Sequence, residues 1–382
     1  MYSLFRPLFF KLDPETAHYL ILQLMRLGGV WPINSILHRM YFAPEKPVQA
    51  FGLAFKNPVG LAAGYDKDAV AVRGLSALGF GHIEVGTVTP RPQPGNPKPR
   101  VFRLVEDEAV INRMGFPGLG ADFVAMSLRG ATRWHRSNLL ANEEVASPAL
   151  QSRNDTIVGM NLGKNKDTPL EEASSDYITL MRAFASLADY LTINISSPNT
   201  VGLRRLQGRE MLEALLGEIA EERHQIYHRE RGERGRVSER VENQIKNSVN
   251  SVLSVVKKIP ILVKLAPDLT DDELEDALGV ILDSGMDGVV ATNTTLAREG
   301  LRSMHRAESG GLSGSPLRVR SEAMLGKIVK IVAGRVPIVS VGGIMSPEDA
   351  KRRLDAGATL IQVYTGLIYR GPGLVKEIVN AL

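Results

Sequence analysis

The chain of 382 residues carries 44% hydrophobic and 23% charged side chains, 46 basic against 42 acidic, and no cysteine. An ordinary globular composition speaks against extensive disorder, and without sulfur ligands a disulfide scaffold, a thiolate nucleophile, a zinc ribbon and a cysteine-ligated iron–sulfur cluster are excluded. The formal charge of +4 is interspersed rather than gathered into a basic face for nucleic acid, no run nears the ~18 apolar residues of a spanning helix, and the start lacks a signal-peptide pattern, so an intracellular, non-spanning protein is expected.

Residues 1–42 form an amphipathic helix pair by pattern. Leu4, Phe5, Leu8 and Phe9 recur at helical spacing. A second helix is expected from Pro14 to Leu27, capped by Asp13 with Pro14 at its first position, and ended by Gly28-Gly29. Ala17, Ile21, Leu24 and Met25 share one face, flanked by Leu20 and Leu27. Packing against the main body is one use for such helices. Apolar faces flanked by Arg6, Lys11, Arg26 and Arg39 also suit an interfacial pair dipping into one leaflet.

From about residue 45, short β-rich runs alternate with amphipathic stretches long enough to cross between parallel strands. Eight runs are expected: Val59 to Ala62, His82 to Val88, Ile157 to Asn161, Tyr190 to Ile195, Ile261 to Leu265, Gly288 to Thr292, Pro337 to Val341 and Leu360 to Tyr364. Eight such units predict an α/β fold, a (β/α)8 TIM barrel over residues 43–382 with the N-terminal two-helix extension. Polar, glycine-bearing segments follow the runs: AAGYDK, GTVTP, NLGKNK, NISSPNT, KLAPD, TNTT, VGGI and YTGL. In a barrel these ends converge on one mouth. A Pro/Gly-rich segment between the second and third strands is too long for one crossover and predicts extra strands or a lid. Glu221 to Arg240 is so densely charged that a solvated helix end or loop is expected.

Several mouth residues carry chemistry. Gly342-Gly343 and Tyr364-Thr365-Gly366 end strands seven and eight, where barrels hold phosphates on backbone N–H groups, and Ser313-Gly314 joins them from the preceding loop. Asn161, Asn194 and Asn293 end strands three, four and six, offering paired donors and acceptors suited to the edge of a flat heterocycle. Lys67 and Lys264 end strands one and five, and a lysine pointed into a barrel needs an anion. A structural ion pair is one answer. The other is that Lys264 meets charge developing on a cofactor ring and Lys67 a substrate carboxylate. No GxSxG elbow is present and the seven histidines give no triad pattern, so hydrolase chemistry is poorly supported.

AAGYDKD, GTVTPRPQPGNPKPRVFRL, INRMGFPG, NISSPNT, VKLAPD, TNTT, GGLSG and QVYTGL, with LDPETAH near the start, resemble in order and spacing the membrane-associated, quinone-dependent dihydroorotate dehydrogenases. The resemblance covers nearly the whole chain. It implies FMN held around Ala63, Gly64, Thr87, Asn161, Asn194, Lys264, Thr292, Ser313, Gly314, Gly342, Gly343, Tyr364 and Thr365. Dihydroorotate contacts carry over to Lys67, Asn112, Arg113, Met114, Gly115, Phe116, Asn194, Asn199, Asn293 and Thr294. The proton-removing base becomes Ser197, and His18 and Arg103 lie by a quinone tunnel. The implied activity is oxidation of (S)-dihydroorotate to orotate with reoxidation by a membrane quinone, in a peripheral protein on the cytoplasmic face of a bacterial inner membrane. A dihydrouridine synthase, which acts on RNA, resembles this fold but relies on a cysteine acid absent here, as do the soluble dihydroorotate dehydrogenases with their cysteine base. A membrane-docked barrel that senses a nucleotide needs no Ser197. Glu221 to Arg240 and Ser137 to Asn154 are longer than the family core requires.

Overall fold

A computed structural model describes residues 2–140, 156–244 and 258–382, with side chains throughout except at 131–140 and 230–244. Eight parallel strands close into a barrel: Val59–Leu61, His82–Val88, Ile157–Leu162, Tyr190–Asn194, Ile261–Leu265, Gly288–Ala291, Ile338–Val341 and Leu360–Val363. Each agrees with its expected run to within a residue or so at either end. The runs were readable because strands of a parallel barrel are buried on both faces and stay apolar throughout; His82–Val88 and Ile261–Leu265 are buried at every position.

The floor of the barrel is filled by rings. His82 and Tyr190 point inward, and glycines on the neighbouring strands make room for them: a Cβ at Gly60 would lie 2.0 Å from the His82 ring, and one at Gly159 would lie 2.0 Å from Tyr190. The hairpin of Val48–Ala50 and Leu53–Phe55 supplies Phe51 and Phe55 to the same cluster and plugs the amino-terminal end. The open end is therefore the carboxyl-terminal one.

The long segment after the second strand does form extra strands. Val101–Leu104 and Ala109–Asn112 pair antiparallel, and Gly311–Gly314 from the loop after the sixth strand joins them as a three-stranded sheet beside the mouth. Glu221 to Arg240 continues the helix Arg209–Gln244. The segment Ser137 to Asn154 lies mostly outside the described residues.

Three helices, not two, precede the barrel: Tyr2–Lys11, Pro14–Gly28 and Ile33–Tyr41. Asp13 caps the second, its Oδ1 accepting the N–H groups of Glu15 at 3.1 Å and Thr16 at 2.9 Å. That helix lies on Val72–Ser76 at very close range, because Gly74 leaves no side chain against the Met25 carbonyl; a Cβ there would sit 1.9 Å from it. The third helix departs from the second at 106°, and no single helix among the described residues is long and apolar enough to cross a membrane.

Candidate active site

The strand ends and the three-stranded sheet enclose a cavity of about 1020 Å³, counted to its open mouth. All the expected flavin and substrate residues line it except Asn161 and Arg113. Asn161 lies one layer below, fully buried, and Arg113 turns outward to ion-pair with Glu308 at 2.7 Å and stack over Phe102. Arg113 therefore serves its loop from outside the cavity.

Strand register explains how distant residues meet. Asn194 pairs with Lys264 across adjacent strands, and Gly86 with Asn161, so the polar ends reach one level. Asn194 Nδ2 donates to Thr87 Oγ1 at 2.9 Å and Asn161 Oδ1 at 3.0 Å, and Thr87 Oγ1 donates to Asn161 Oδ1 at 2.6 Å. Ser196 Oγ donates to Asn194 Oδ1 at 2.9 Å and accepts from Asn293 Nδ2 at 2.9 Å. Asn199 Nδ2 donates to Asn112 Oδ1 at 3.0 Å. These amides hold one another in fixed orientations, as a site that reads a flat polar ligand requires.

Beneath them lies Glu84, fully buried within its strand and absent from the sequence reading. It accepts from Asn161 Nδ2 at 2.7 Å, Gln362 Nε2 at 2.8 Å and Tyr190 Oη at 3.3 Å. A lone charge in an otherwise apolar strand is the signal that singled out Lys264, and it marks Glu84 equally well. The two expectations for Lys264 are both partly met. Glu84 gives charge compensation at a distance, yet among the described residues no hydrogen bond ends on the Lys264 ammonium, which lines the cavity and is held below the usual lysine range by burial.

Lys67 donates to the Gly64 carbonyl at 2.7 Å, and burial pulls its pKa down to about 8, with Asp68 and Glu15 opposing. Ser197 is buried on the cavity wall. Its Oγ accepts the Asn199 N–H at 3.2 Å, and no imidazole or carboxylate is hydrogen-bonded to it among the described residues.

The glycine pair after strand seven forms a backbone cradle. Gly342 and Gly343 have φ of +113° and +74°, and a Cβ on Gly343 would lie 2.4 Å from the Arg318 backbone. The Gly342 carbonyl accepts from Arg353 Nη2 and Ser321 Oγ, both at 2.8 Å. Because a trans peptide points its C=O and N–H in opposite directions, the Gly343 N–H is turned the other way, toward the cavity. Arg353 is wholly buried, and this is what holds it there. Across from the pair, Ser313 and Thr365 join their hydroxyls at 2.8 Å beside the first turn of Thr365–Arg370. Backbone donors, an ammonium without a hydrogen-bonded partner and oriented amides fit a flat, anionic, phosphate-bearing group.

A second cavity, of about 1680 Å³, runs between the first two helices and the barrel. Its walls are largely apolar, among them Phe5, Phe9, Ile21, Leu24 and Met25, with Glu15, His18, Arg103, Asn112 and Ser313 as polar exceptions. Asn112, Met114, Ser313 and Tyr364 line both cavities, so the two abut. Arg103 ties the first helix down, donating to the carbonyls of Phe10 at 3.2 Å and Leu12 at 2.9 Å. Burial pushes the His18 imidazole down to about 3; a backbone hydrogen bond at Tyr65 engages the ring while Nε2 has no partner among the described residues.

The family model described as dihydroorotate dehydrogenase matches residues 47–382. The chain belongs to the dihydroorotate dehydrogenase family. It is 44% identical over 384 residues to "Dihydroorotate dehydrogenase (quinone)" of Pseudomonas fluorescens, covering 100% of this chain and 99% of that one. The protein of the same name from Roseiflexus sp. is 45% identical over 385 residues, with 100% and 93% covered. Among family structures, that from Eimeria tenella in complex with ferulenol superposes with a TM-score of 0.79 at 39% identity, covering 97% of this chain and 90% of that one. The ligand-free Eimeria tenella structure gives 0.78 at 38%, covering 97% and 94%.

Proposed function

We infer that this protein oxidises dihydroorotate to orotate in pyrimidine biosynthesis and passes the electrons to a quinone, with FMN as its flavin. The observation that carries the reading is the abutment of two unlike cavities: one polar, with Ser197, Lys67 and the Asn cluster on its walls, the other apolar and reached past the N-terminal helices. The residues shared by the two cavities would hold a flavin between them, and the chemistry such a group would supply there is uptake of hydride from a reduced substrate and transfer of the electrons to a quinone.

This chain's own residues do the rest. Lys67 binds the substrate carboxylate as a cation, and Asn112, Asn199, Asn293 and Thr294 pair with the amide edges of its ring. Ser197 Oγ takes the C5 proton as C6 loses hydride and passes its own hydroxyl proton on to a water relay, so the serine ends neutral. A serine hydroxyl is a weak base, so it serves only for a proton that hydride loss is making acidic. The Lys264 ammonium favours negative charge gathering on the flavin ring. The Gly343 N–H, the first turn at Thr365 and the hydroxyl of Ser313 hold the phosphate. Met114, Gly115 and Phe116 close over the substrate, with Arg113 anchoring that loop through Glu308.

His18, neutral throughout the physiological range, turns its free Nε2 to the quinone head group beside Arg103. The exposed apolar residues Leu20, Leu24, Leu27, Trp31, Ile33 and Ile36 lie on the second and third helices and on the turn between them. Together with Arg26 and Arg39 they suit a helix pair lying in one leaflet of a membrane, at its cytoplasmic face.

The test is a visible spectrum of the purified protein followed by anaerobic addition of dihydroorotate. A flavin band that bleaches, and that returns on adding a quinone, is the expected result. A colourless protein, or a flavin that dihydroorotate leaves oxidised, overturns the reading.

A further inference from the structure

We propose that Arg204 is a positioning residue for Ser197, an inference that rests on the reading just given. Arg204 does not line the cavity; it lies behind it, where one guanidinium spans three strand ends. Its Nε donates to the Ser196 carbonyl at 3.0 Å, its Nη2 to the Thr294 carbonyl at 2.9 Å and its Nη1 to Asp268 Oδ2 at 2.8 Å. The Ser196 carbonyl belongs to the peptide that enters Ser197, so fixing that plane fixes the direction in which the Ser197 side chain leaves the backbone. Thr294 stands on the opposite loop of the same cavity.

Asp268 completes the clamp. It accepts the Leu296 N–H at 3.1 Å and the Thr295 hydroxyl, which ties it to the same loop that Arg204 reaches at Thr294. Arg320 lies 3.7 Å from its other oxygen. The turn that carries Arg204 is itself fastened to the fifth strand end, since Gln207 Oε1 accepts the Ala266 N–H at 2.9 Å. Three directed donors in a planar fork need arginine; a lysine ammonium reaches such acceptors only as a point charge. Both members of the Arg204–Asp268 pair keep only about a fifth of their side-chain surface exposed (22% and 21%), so removing one charge leaves the other partly buried, a cost that the charge-conserving Arg204→Lys avoids. The effect of the pair is to hold the distance between base and substrate loop.

Single-turnover flavin reduction by dihydroorotate isolates that distance. In Arg204→Gln it is expected to slow by about 100-fold, the scale of a small misplacement at a reacting centre. Reoxidation of the chemically reduced enzyme by a quinone, which does not involve Ser197, keeps its rate. Arg204→Lys recovers part of the loss and serves if the Gln variant folds poorly. On a Ser197→Ala background, Arg204→Gln is expected to add little, because there is no base left to misplace. Undiminished reduction in Arg204→Gln, equal slowing of both half-reactions, or losses that multiply in the double variant each overturn the proposal. If Ser197→Ala alone leaves reduction unchanged, the base assignment has failed instead, and the two failures are distinguishable.

Discussion

At the residue scale the site assigns different work to a buried serine and a half-buried lysine. Ser197→Ala removes the proposed base while leaving the Asn194, Thr87 and Asn161 network intact, since that network does not pass through Ser197 Oγ. Flavin content is expected to stay native while single-turnover reduction falls by about 10²- to 10⁴-fold, the range of a lost general base; stopped-flow absorbance reads it. Lys67 behaves differently because its pKa in the free protein is pulled down to about 8 by burial. A carboxylate needs the ammonium form, present below that value and lost above it. Orotate affinity, followed by the shift it produces in the flavin spectrum, is therefore expected to weaken as the pH passes about 8, with an upward drift of the inflection when ligand is bound. In Lys67→Gln the inflection disappears and affinity is low at every pH. An inflection that survives the substitution belongs to another group.

At the element scale, what was legible depended on how each segment is buried. The eight barrel strands announced themselves because both faces are apolar, and Asp13-Pro14 announced the second helix because its cap is a local side-chain hydrogen bond. The helix Ile33–Tyr41 carried no such mark. Pro32 precedes it without a capping side chain and none of its residues is buried, so neither a cap nor a core-facing stripe could be read. Ser196 and Arg204 were passed over for a different reason: Asn293 reaches Ser196 from 97 positions away and Arg204 reaches Thr294 across 90, between strand ends that only closure of the barrel brings together. The same helices carry a prediction. Leu27 and Trp31 are 59% and 73% exposed, so charging them disturbs little of the fold. The double variant Leu27→Glu, Trp31→Glu is expected to lose about tenfold or more in sedimentation with anionic phospholipid vesicles, given the transfer energy of each side chain. Its KM for a long-chain quinone rises while reduction by dihydroorotate is unchanged. Native vesicle binding would make these helices a packing element alone.

At the scale of the whole molecule, the first cavity is lined by residues from Ala62 to Gly366, so a ligand there bridges seven of the eight strand ends of the barrel. Lys264 brings to it a buried ammonium with no hydrogen bond among the described residues, and the Gly342-Gly343 cradle brings backbone donors. A ligand that answers both binds only the folded state, and by mass action it stabilises that state by about 2.7 kcal/mol at a hundredfold excess over its Kd. Flavin removal is therefore expected to lower Tm by several degrees, and added FMN to restore it in a concentration-dependent way. On the proposed reading the two halves of the site separate when FMN is compared with riboflavin at equal concentration, because both carry the ring assigned to Lys264 and only FMN carries the phosphate assigned to the Gly343 N–H and Thr365. Riboflavin is expected to recover only part of the shift, and Lys264→Met to reduce the shift with either flavin while preserving the difference between them. Equal recovery by both flavins in calorimetry would place the phosphate elsewhere, and with it the function assigned to Arg353, whose buried guanidinium turns the Gly342 carbonyl away from the cavity.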